Sequence, residues 1–495
     1  MSKNNTTPTL VKPLSELDGL ICISVNNINY SLKPHVFIDD LSNEVVSKSD
    51  IETLAASLSE RFLCLDQIDT ICLQSLSNTL TLPILIAAWR VGKRIALIRE
   101  DATQVQLNSA REQLASHLYI FHDKSLDSIC INKGHDSVLF EQWFQEARAE
   151  NVNKLFNWGE EEVAVILFTS GSTGLPKGVR HSLPNVIRSA QLFSTHFEMK
   201  PNDHVVSCAE IHTMSGLRSL VLPLISNLRV SFVREKYINN FIGKLQSLKP
   251  NWIICGPSLL ELLIKMGNYT QEMSAFTEEV RILCTGAPLS NKVVDEIFLK
   301  WKIPVLNYYG LVETAGIVLA EKEMSVEGLL PPPCENVSTY LIPLEGSEDI
   351  FYLGLKTPNF FLGYLGQPIK KPECFNTNDL VTKDENGRLK LIGRSSGIIK
   401  AKSAEWVYIS LLEGFIKNQE GVIDVVIKAN SNIDSDYLME AYIQTTHELS
   451  LLMPILNQKI LENYGKDYGS IEWMSSVIER SGLAKVISIK VLQEA

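Results

Sequence analysis

The stretch Thr169-Ser170-Gly171-Ser172-Thr173-Gly174-Leu175-Pro176-Lys177-Gly178 concentrates hydroxyls, glycines and a lysine directly behind the apolar run from Val163 to Phe168. An apolar strand that empties into a Gly/Ser/Thr loop brings backbone N–H groups, hydroxyls and a cation to a polyphosphate. Glycine lets the backbone approach the phosphates closely and take positive φ where a turn requires it. The loop is not a Walker-type P-loop. That motif needs Gly-Lys four residues after its first glycine, and Pro176 stands at that place after Gly171. A flexible surface turn would need neither a buried strand ahead of it nor a lysine inside it.

The loop closely resembles the phosphate-binding signature of the adenylate-forming superfamily, which includes acyl-CoA and aryl-CoA ligases, stand-alone adenylation enzymes and luciferases. The resemblance runs from about residue 50 to the end, because further signatures follow in order. Asn307-Tyr308-Tyr309-Gly310-Leu311-Val312-Glu313-Thr314 resembles the family's aromatic-Gly-x-Thr-Glu segment. The resemblance implies that Tyr309 stacks on adenine and that Glu313 binds magnesium, with Thr169 as a second metal contact. Upstream, Thr285-Gly286-Ala287-Pro288 resembles the small turn beside the adenine, and Asn307, Tyr308, Gly310 and Thr314 complete the implied nucleotide contacts. Thr169, Ser170, Gly171, Ser172, Thr173, Gly174 and Lys177 are the implied phosphate contacts. Asn376-Thr377-Asn378-Asp379 resembles the family's Thr-Gly-Asp, implying that Asp379 accepts from the ribose hydroxyls; Arg394 is the implied ribose or phosphate cation.

Near the end of the chain, Ser481-Gly482-Leu483-Ala484-Lys485 resembles the Gly-Lys segment whose lysine stabilises charge on the carboxylate and α-phosphate. Lys485, Glu313 and His212 are therefore the expected catalytic residues. His212 falls, in Ile211-His212-Thr213-Met214-Ser215-Gly216-Leu217, where the family builds its acyl pocket. Amino-acid-activating relatives carry an Asp in this region for the substrate ammonium. Between Cys208 and Leu222 the only acid is Glu210, so the expected substrate is a small non-amino carboxylic acid.

The sequence also departs from the pattern. Val312 replaces the usual threonine, Asn378 a glycine and Ser396 the usual hinge Asp or Lys, while Lys402, Ser403 and Ala404 stand where paired glycines line the family's thiol tunnel. Asn tolerates the left-handed region better than most residues, so the turn before Asp379 is expected to survive. The implied activity is ATP- and Mg2+-dependent formation of an acyl-adenylate with release of pyrophosphate, then transfer to a thiol in trans. That acceptor is CoA or the phosphopantetheine of a separate acyl or peptidyl carrier protein. Two alternatives stay open: a degenerate nucleotide-binding member that does not complete turnover, and an adenylating enzyme that forms an amide or lactone.

Elements must hold these residues in place. Apolar spacing predicts a helix from Ile51 to Leu65, capped by Ser49 or Asp50, then a strand at Asp69–Leu73, a helix at Leu80–Val91 and a strand at Arg94–Ile98. Strand–helix–strand at this spacing implies a parallel sheet. Further short apolar runs predict strands at 205–208, 230–233, 252–255, 280–284 and 303–306. Past the prolines at 331–333, strands at 338–342 and 350–355 and a hairpin at Asn386-Gly387 predict a small β subdomain. The expected fold is α/β: a large N-terminal domain of parallel sheets flanked by helices plus that β subdomain, then a small mobile α/β lid. The expected boundary follows Arg394, giving domains 1–394 for ATP and acid and 395–495 for the lid.

A net charge of −11 argues against general binding to nucleic acid or to anionic membranes. The nine cysteines show no CxxC and no ligand-like spacing. The polar N-terminus has no hydrophobic core of a signal peptide, and no run reaches the length of a membrane span, so a cytoplasmic protein is expected.

Overall fold

The computed structural model describes the chain except residues 1–9, 14–21, 27, 32–37, 40–43, 46–47, 75, 77, 115–116, 127, 134–135, 171–175, 234–242, 244, 246, 266–279, 288, 325–328, 401–405, 430–438, 465–470, 481–485 and 493–495. Gly171, Ser172, Thr173, Gly174, Pro288, Lys402, Ser403, Ala404 and Lys485 therefore lie outside the described residues. Two compact units form. The first comprises Met1–Ser325, Pro331–Val337 and Thr357–Glu373, and the second Val326–Leu330, Ser338–Lys356 and Cys374–Ala495.

The first unit is built on two large sheets. A seven-stranded sheet runs in the order Asp136–Leu139, Ser128–Lys133, His117–Asp123, Thr70–Gln74, Arg94–Ile98, Val163–Ser170 and Pro176–Ser182. Its central pairings are parallel and its outer ones antiparallel. An eight-stranded sheet has a parallel centre in the order Val305–Tyr309, Arg281–Cys284, Trp252–Cys255, His204–Ser207 and Arg229–Phe232. These strands are short, rich in Val, Ile, Leu and Cys and buried on both faces, as parallel strands between helices are. One apolar core joins both sheets through the helices Asn78–Arg90, Leu183–His196 and Met214–Ile225.

The expected elements are present with shifted ends. The first long helix buries Ile51, Ala55, Leu58 and Phe62 on one face but begins at Lys48. Ser49 and Asp50 thus sit inside its first turn rather than capping it. There Asp50 favours the positive helix end, and Lys48 pairs with Glu52 at 3.5 Å. The strand expected to stop at Leu306 continues to Tyr309, because Tyr308 and Tyr309 pair antiparallel with Ala320 and Leu319.

In the second unit, Ser338–Pro343, Phe351–Lys356, Phe375–Lys383 and Leu389–Arg394 form an antiparallel sheet. The hairpin turn is longer than Asn386-Gly387 alone. Asp384 Oδ1 accepts from the Asn386 and Arg388 N–H groups at 2.9 and 2.7 Å, and Gly387 takes φ 76°. A separate four-stranded sheet of Val422–Ala429, Met439–Thr445, Ile471–Arg480 and Val486–Val491 shares a core with the helices Ile409–Lys417 and Leu449–Tyr464. The fold is the α/β architecture that the motif order implied.

Candidate functional site

Thr169 and Ser170 end a strand whose next residues double back. Thr169 pairs with Lys177 and Ser170 with Pro176 in antiparallel register, so the two ends of the phosphate-loop sequence are adjacent strand ends. On its other side the same strand runs parallel to Arg94–Ile98. Thr169 is half-buried and Lys177 exposed at the mouth of the loop. Gln113 braces the return strand: its Nε2 donates to Pro176 O at 2.9 Å and its Oε1 accepts from Gly178 N at 3.3 Å.

The adenine signatures emerge from neighbouring strand ends. Cys284 pairs with Asn307 in parallel register, so the turn after Cys284 and the turn after Tyr309 lie side by side. Gly286 takes φ 97°, a conformation that favours glycine, and Ala287 follows half-buried. Asn307 is held from below, its N–H donating to Glu321 Oε2 at 2.9 Å. Tyr309 is half-buried. Tyr308 points the other way into the core, where its hydroxyl meets Ser215 Oγ and Arg218 Nη2, both at 3.0 Å. Burial raises the Tyr308 phenol above its ordinary pKa, against the lowering effect of Arg218.

Gly310 must be glycine because a Cβ there would meet the Gly316 carbonyl carbon at 2.5 Å. The short 3-10 turn Val312–Thr314 follows. Thr314 is fully buried and closes that turn, its Oγ1 accepting from Leu311 N at 3.0 Å and donating to Leu311 O at 3.1 Å. The Thr314 hydroxyl is therefore engaged with the backbone and does not stand in for the one lost at Val312. Glu313 is half-buried, and its Oε1 accepts from the Tyr364 hydroxyl at 2.9 Å.

Tyr364 belongs to a segment that grips both halves of this site. Leu365 N donates to Gly178 O at 2.8 Å and Leu362 N to Arg180 O at 2.7 Å, which fixes the strand returning from the phosphate loop. Phe361 N donates to Glu313 O at 2.9 Å. The buried Arg180 guanidinium closes the clamp by donating to the carbonyls of Leu362, Gly363, Gln367 and Pro368 at 3.0 to 3.2 Å. Neither Tyr364 nor Arg180 is an expected site residue. A lone arginine between Val179 and His181 in an otherwise buried strand was the available signal.

His212 lies in the loop that starts the helix Met214–Ile225. Its Nε2 is 3.2 Å from Glu210 Oε2, and Thr213 caps the helix by accepting from Gly216 N at 3.1 Å. Asp101 lies near enough to feel its charge. Burial raises the Asp101 carboxyl, but the bidentate Arg99 contact at 2.8 and 2.6 Å, with His212, holds it below the ordinary value. In the second unit, Asn378 takes φ 59° inside the continuous strand Phe375–Lys383, where the pairing with Phe351–Lys356 shifts register, so the expected turn is a bulge in a strand. Asp379 is buried, and its Oδ1 receives Arg394 Nε at 2.8 Å across the paired strands.

The model of one enzyme family matches residues 50–348, more than half of the chain, and its description is AMP-binding enzyme. The chain belongs to the AMP-binding enzyme family. This AMP-binding enzyme is 25% identical over 359 residues to a 2-succinylbenzoate–CoA ligase of Staphylococcus epidermidis, covering 71% of this chain and 73% of the relative. It is 23% identical over 304 residues to the probable CoA ligase CCL5 of Humulus lupulus, covering 57% of this chain and 54%, about half, of that relative's length. Among solved structures it resembles the O-succinylbenzoate coenzyme A synthetase of Bacillus subtilis in complex with AMP. The TM-score is 0.77 at 17% identity, covering 92% of this chain and 94% of that one. It also resembles ATP-bound MatB from Rhodopseudomonas palustris, with a TM-score of 0.73, 17% identity and coverage of 92% and 94%. No helix among the described residues of this AMP-binding enzyme is long and apolar enough to cross a membrane.

Proposed function

We propose that this AMP-binding enzyme activates a non-amino carboxylic acid with ATP, forming an acyl-adenylate and pyrophosphate, and passes the acyl group to a thiol. CoA is the favoured acceptor, given relatives named as CoA ligases; a carrier-protein phosphopantetheine is the other. The single observation that carries the reading is the clamp at Tyr364. One segment hydrogen-bonds both to the strand that returns from the polyphosphate loop and to the carboxylate of Glu313.

Magnesium fits the donor set. Among the described residues no group of three or more His, Cys, Asp or Glu could cage a metal, while Glu313 and Thr169 offer single hard oxygens. Magnesium typically takes one or two protein oxygens and completes its shell with phosphates and water. When bound, it would offset phosphate charge. The chain's own residues do the rest. The sequence from Thr169 to Lys177 holds the β- and γ-phosphates, and Tyr309 with the Gly286-Ala287 turn holds adenine. Asp379 accepts from the ribose hydroxyls with Arg394 beside it, and Lys485 stabilises charge as the acid oxygen attacks the α-phosphate. His212 borders the acid. We place the boundary of the mobile lid after Arg394, at the turn Ser395–Gly397.

The test is pyrophosphate release across fatty, aryl and amino acids without thiol, with hydroxylamine trapping any acyl-adenylate. Hydroxamate from one class of non-amino acid is the expected result. ATP binding with no pyrophosphate from any acid would instead support a degenerate nucleotide binder, the reading favoured by the spent Thr314 hydroxyl.

A further inference from the structure

Three adjacent strands of the eight-stranded sheet finish on, or directly before, a cysteine. Cys255 pairs with Cys284 in parallel register, and Ser207 pairs with Ile254, which sets Cys208 beside Cys255. The Cys208 N–H donates to Ile254 O at 2.8 Å, so the ladder runs on to that residue. All three thiols lie on one side of the sheet. Val206, Ile253, Cys255, Ile282 and Cys284 share one apolar cluster and Cys208 packs against it, as alternation along parallel strands requires. The row is hidden in the sequence because its members are far apart along the chain.

The three differ in access. Cys208 is half-buried, while Cys255 and Cys284 are 1% and 0% exposed. None is in a disulfide. Burial, and then side-chain hydrogen bonding with Cys255, raises the Cys284 thiol well above its ordinary pKa. Enclosed thiols are inert toward solutes, so a dissolved oxidant meets Cys208 first. Neighbouring strands lie about 4.8 Å apart, and a disulfide joins Cα atoms about 4.4 to 6.8 Å apart. Adjacent members of the row are therefore within bridging distance. The row also lies under the nucleotide contacts. The adenine turn starts directly after Cys284, Thr285 N donates to Cys255 O at 3.2 Å, and Cys284 pairs with Asn307. Movement of Cys255 reaches the adenine turn through a single hydrogen bond.

We propose that Cys208 and Cys255 are a peroxide-sensitive thiol pair whose disulfide weakens nucleotide binding. The Cys208 sulfur attacks one oxygen of a hydroperoxide. An S–O bond forms, the O–O bond breaks, and the second oxygen leaves with the thiol proton as water or an alcohol. The Cys255 sulfur then attacks the sulfenic acid. The S–S bond forms, the S–O bond breaks, and the hydroxyl leaves with the Cys255 proton as water. The two thiols are oxidised and the peroxide is reduced by the same electron pair; exchange with an added dithiol restores both thiols. The thiol pair stands apart from the acid-activation reading, whereas its effect on Mg·ATP rests on that reading.

The experiment treats reduced wild type with hydrogen peroxide, blocks the remaining thiols with N-ethylmaleimide and maps the peptides by mass spectrometry. The peptides holding Cys208 and Cys255 should be joined, and should separate with dithiothreitol. Cys208→Ser should leave Cys255 reduced at the same dose, and Cys255→Ala should leave a sulfenic acid on Cys208 that dimedone traps. The wild-type map decides the matter if either variant fails to fold. Cys208 carried to sulfinic acid with no bond to Cys255, or Cys255 oxidised as readily in Cys208→Ser, overturns the proposal. Calorimetry should show Mg·ATP bound about tenfold more weakly after oxidation, as for a lost hydrogen bond, with recovery in dithiothreitol and no change in peroxide-treated Cys208→Ser. Equal affinity in the joined and reduced proteins overturns the coupling to the nucleotide. If reduced wild type binds no Mg·ATP, the acid-activation reading fails, and the peptide map alone upholds or overturns the thiol pair.

Discussion

The two units hold their candidate groups by different means. In the first, Glu313 and the phosphate hairpin lie far apart in sequence and meet through one segment, Phe361–Leu365, with the buried Arg180 as its fastener. In the second, Asp379 and Arg394 face each other across adjacent strands of a single hairpin. There the carboxylate is 5% exposed and the guanidinium 61% exposed. The first arrangement exists only when the whole sheet has folded. The second needs two neighbouring strands and a turn, and its outer partner is screened by solvent. Groups of the first kind should therefore respond steeply and together to mutation, and those of the second in graded, separable steps.

Five substitutions would break or sharpen that contrast. Glu313→Ala should reduce magnesium-dependent pyrophosphate release by at least about a hundredfold, as removal of one preorganised charge-stabilising group does. Activity near wild type would remove Glu313 from the metal. Asp379→Ala should raise the KM for ATP by about thirtyfold, whereas Arg394→Ala, losing only an exposed partner, should raise it by about threefold. Equal effects would mean that Arg394 touches the nucleotide itself. Tyr364→Phe removes the hydrogen bond to Glu313 and should raise the magnesium requirement about tenfold, leaving the KM for the acid unchanged. Calorimetry of Mg·ATP binding without acid should show the same weakening. The smallest effect concerns His181, fully buried beside the clamp, where burial lowers the imidazole from 6.5 to about 4. The unfolded chain therefore binds a proton first as pH falls. The stabilising contribution is fully present above about 6.5 and is lost progressively toward about 4. His181→Gln should flatten the fall in melting midpoint between pH 7 and pH 5 by a few degrees, roughly; an unchanged slope would assign the fall to other groups.

Much of this was legible before the structure, for physical reasons that differ by element. Strands such as Trp252–Cys255 are buried on both faces, so their apolar runs mark them directly. Gly286 and Asn378 carry left-handed backbone, and their residue types announced it. Tyr308 and Tyr309 look equivalent in sequence, yet alternation along a strand sends one into the core and leaves the other half-buried. The helix start at Lys48 was missed because Ser49 and Asp50 favour both a cap and a first turn. The clamp was invisible for a different reason. Its acceptors are the carbonyls of residues 362, 363, 367 and 368, and backbone acceptors have no side-chain signature. Arg218 falls in the same class: among the described residues its Nε and Nη1 have no hydrogen-bond partner, which no sequence pattern announces.

Acid-dependent exchange of labelled pyrophosphate into ATP, run without thiol on wild type and Glu313→Ala, tests the central claim most directly. The account predicts exchange that requires both an acid and magnesium and that disappears in the variant. Exchange no greater with any acid than without, while ATP still binds, would contradict it.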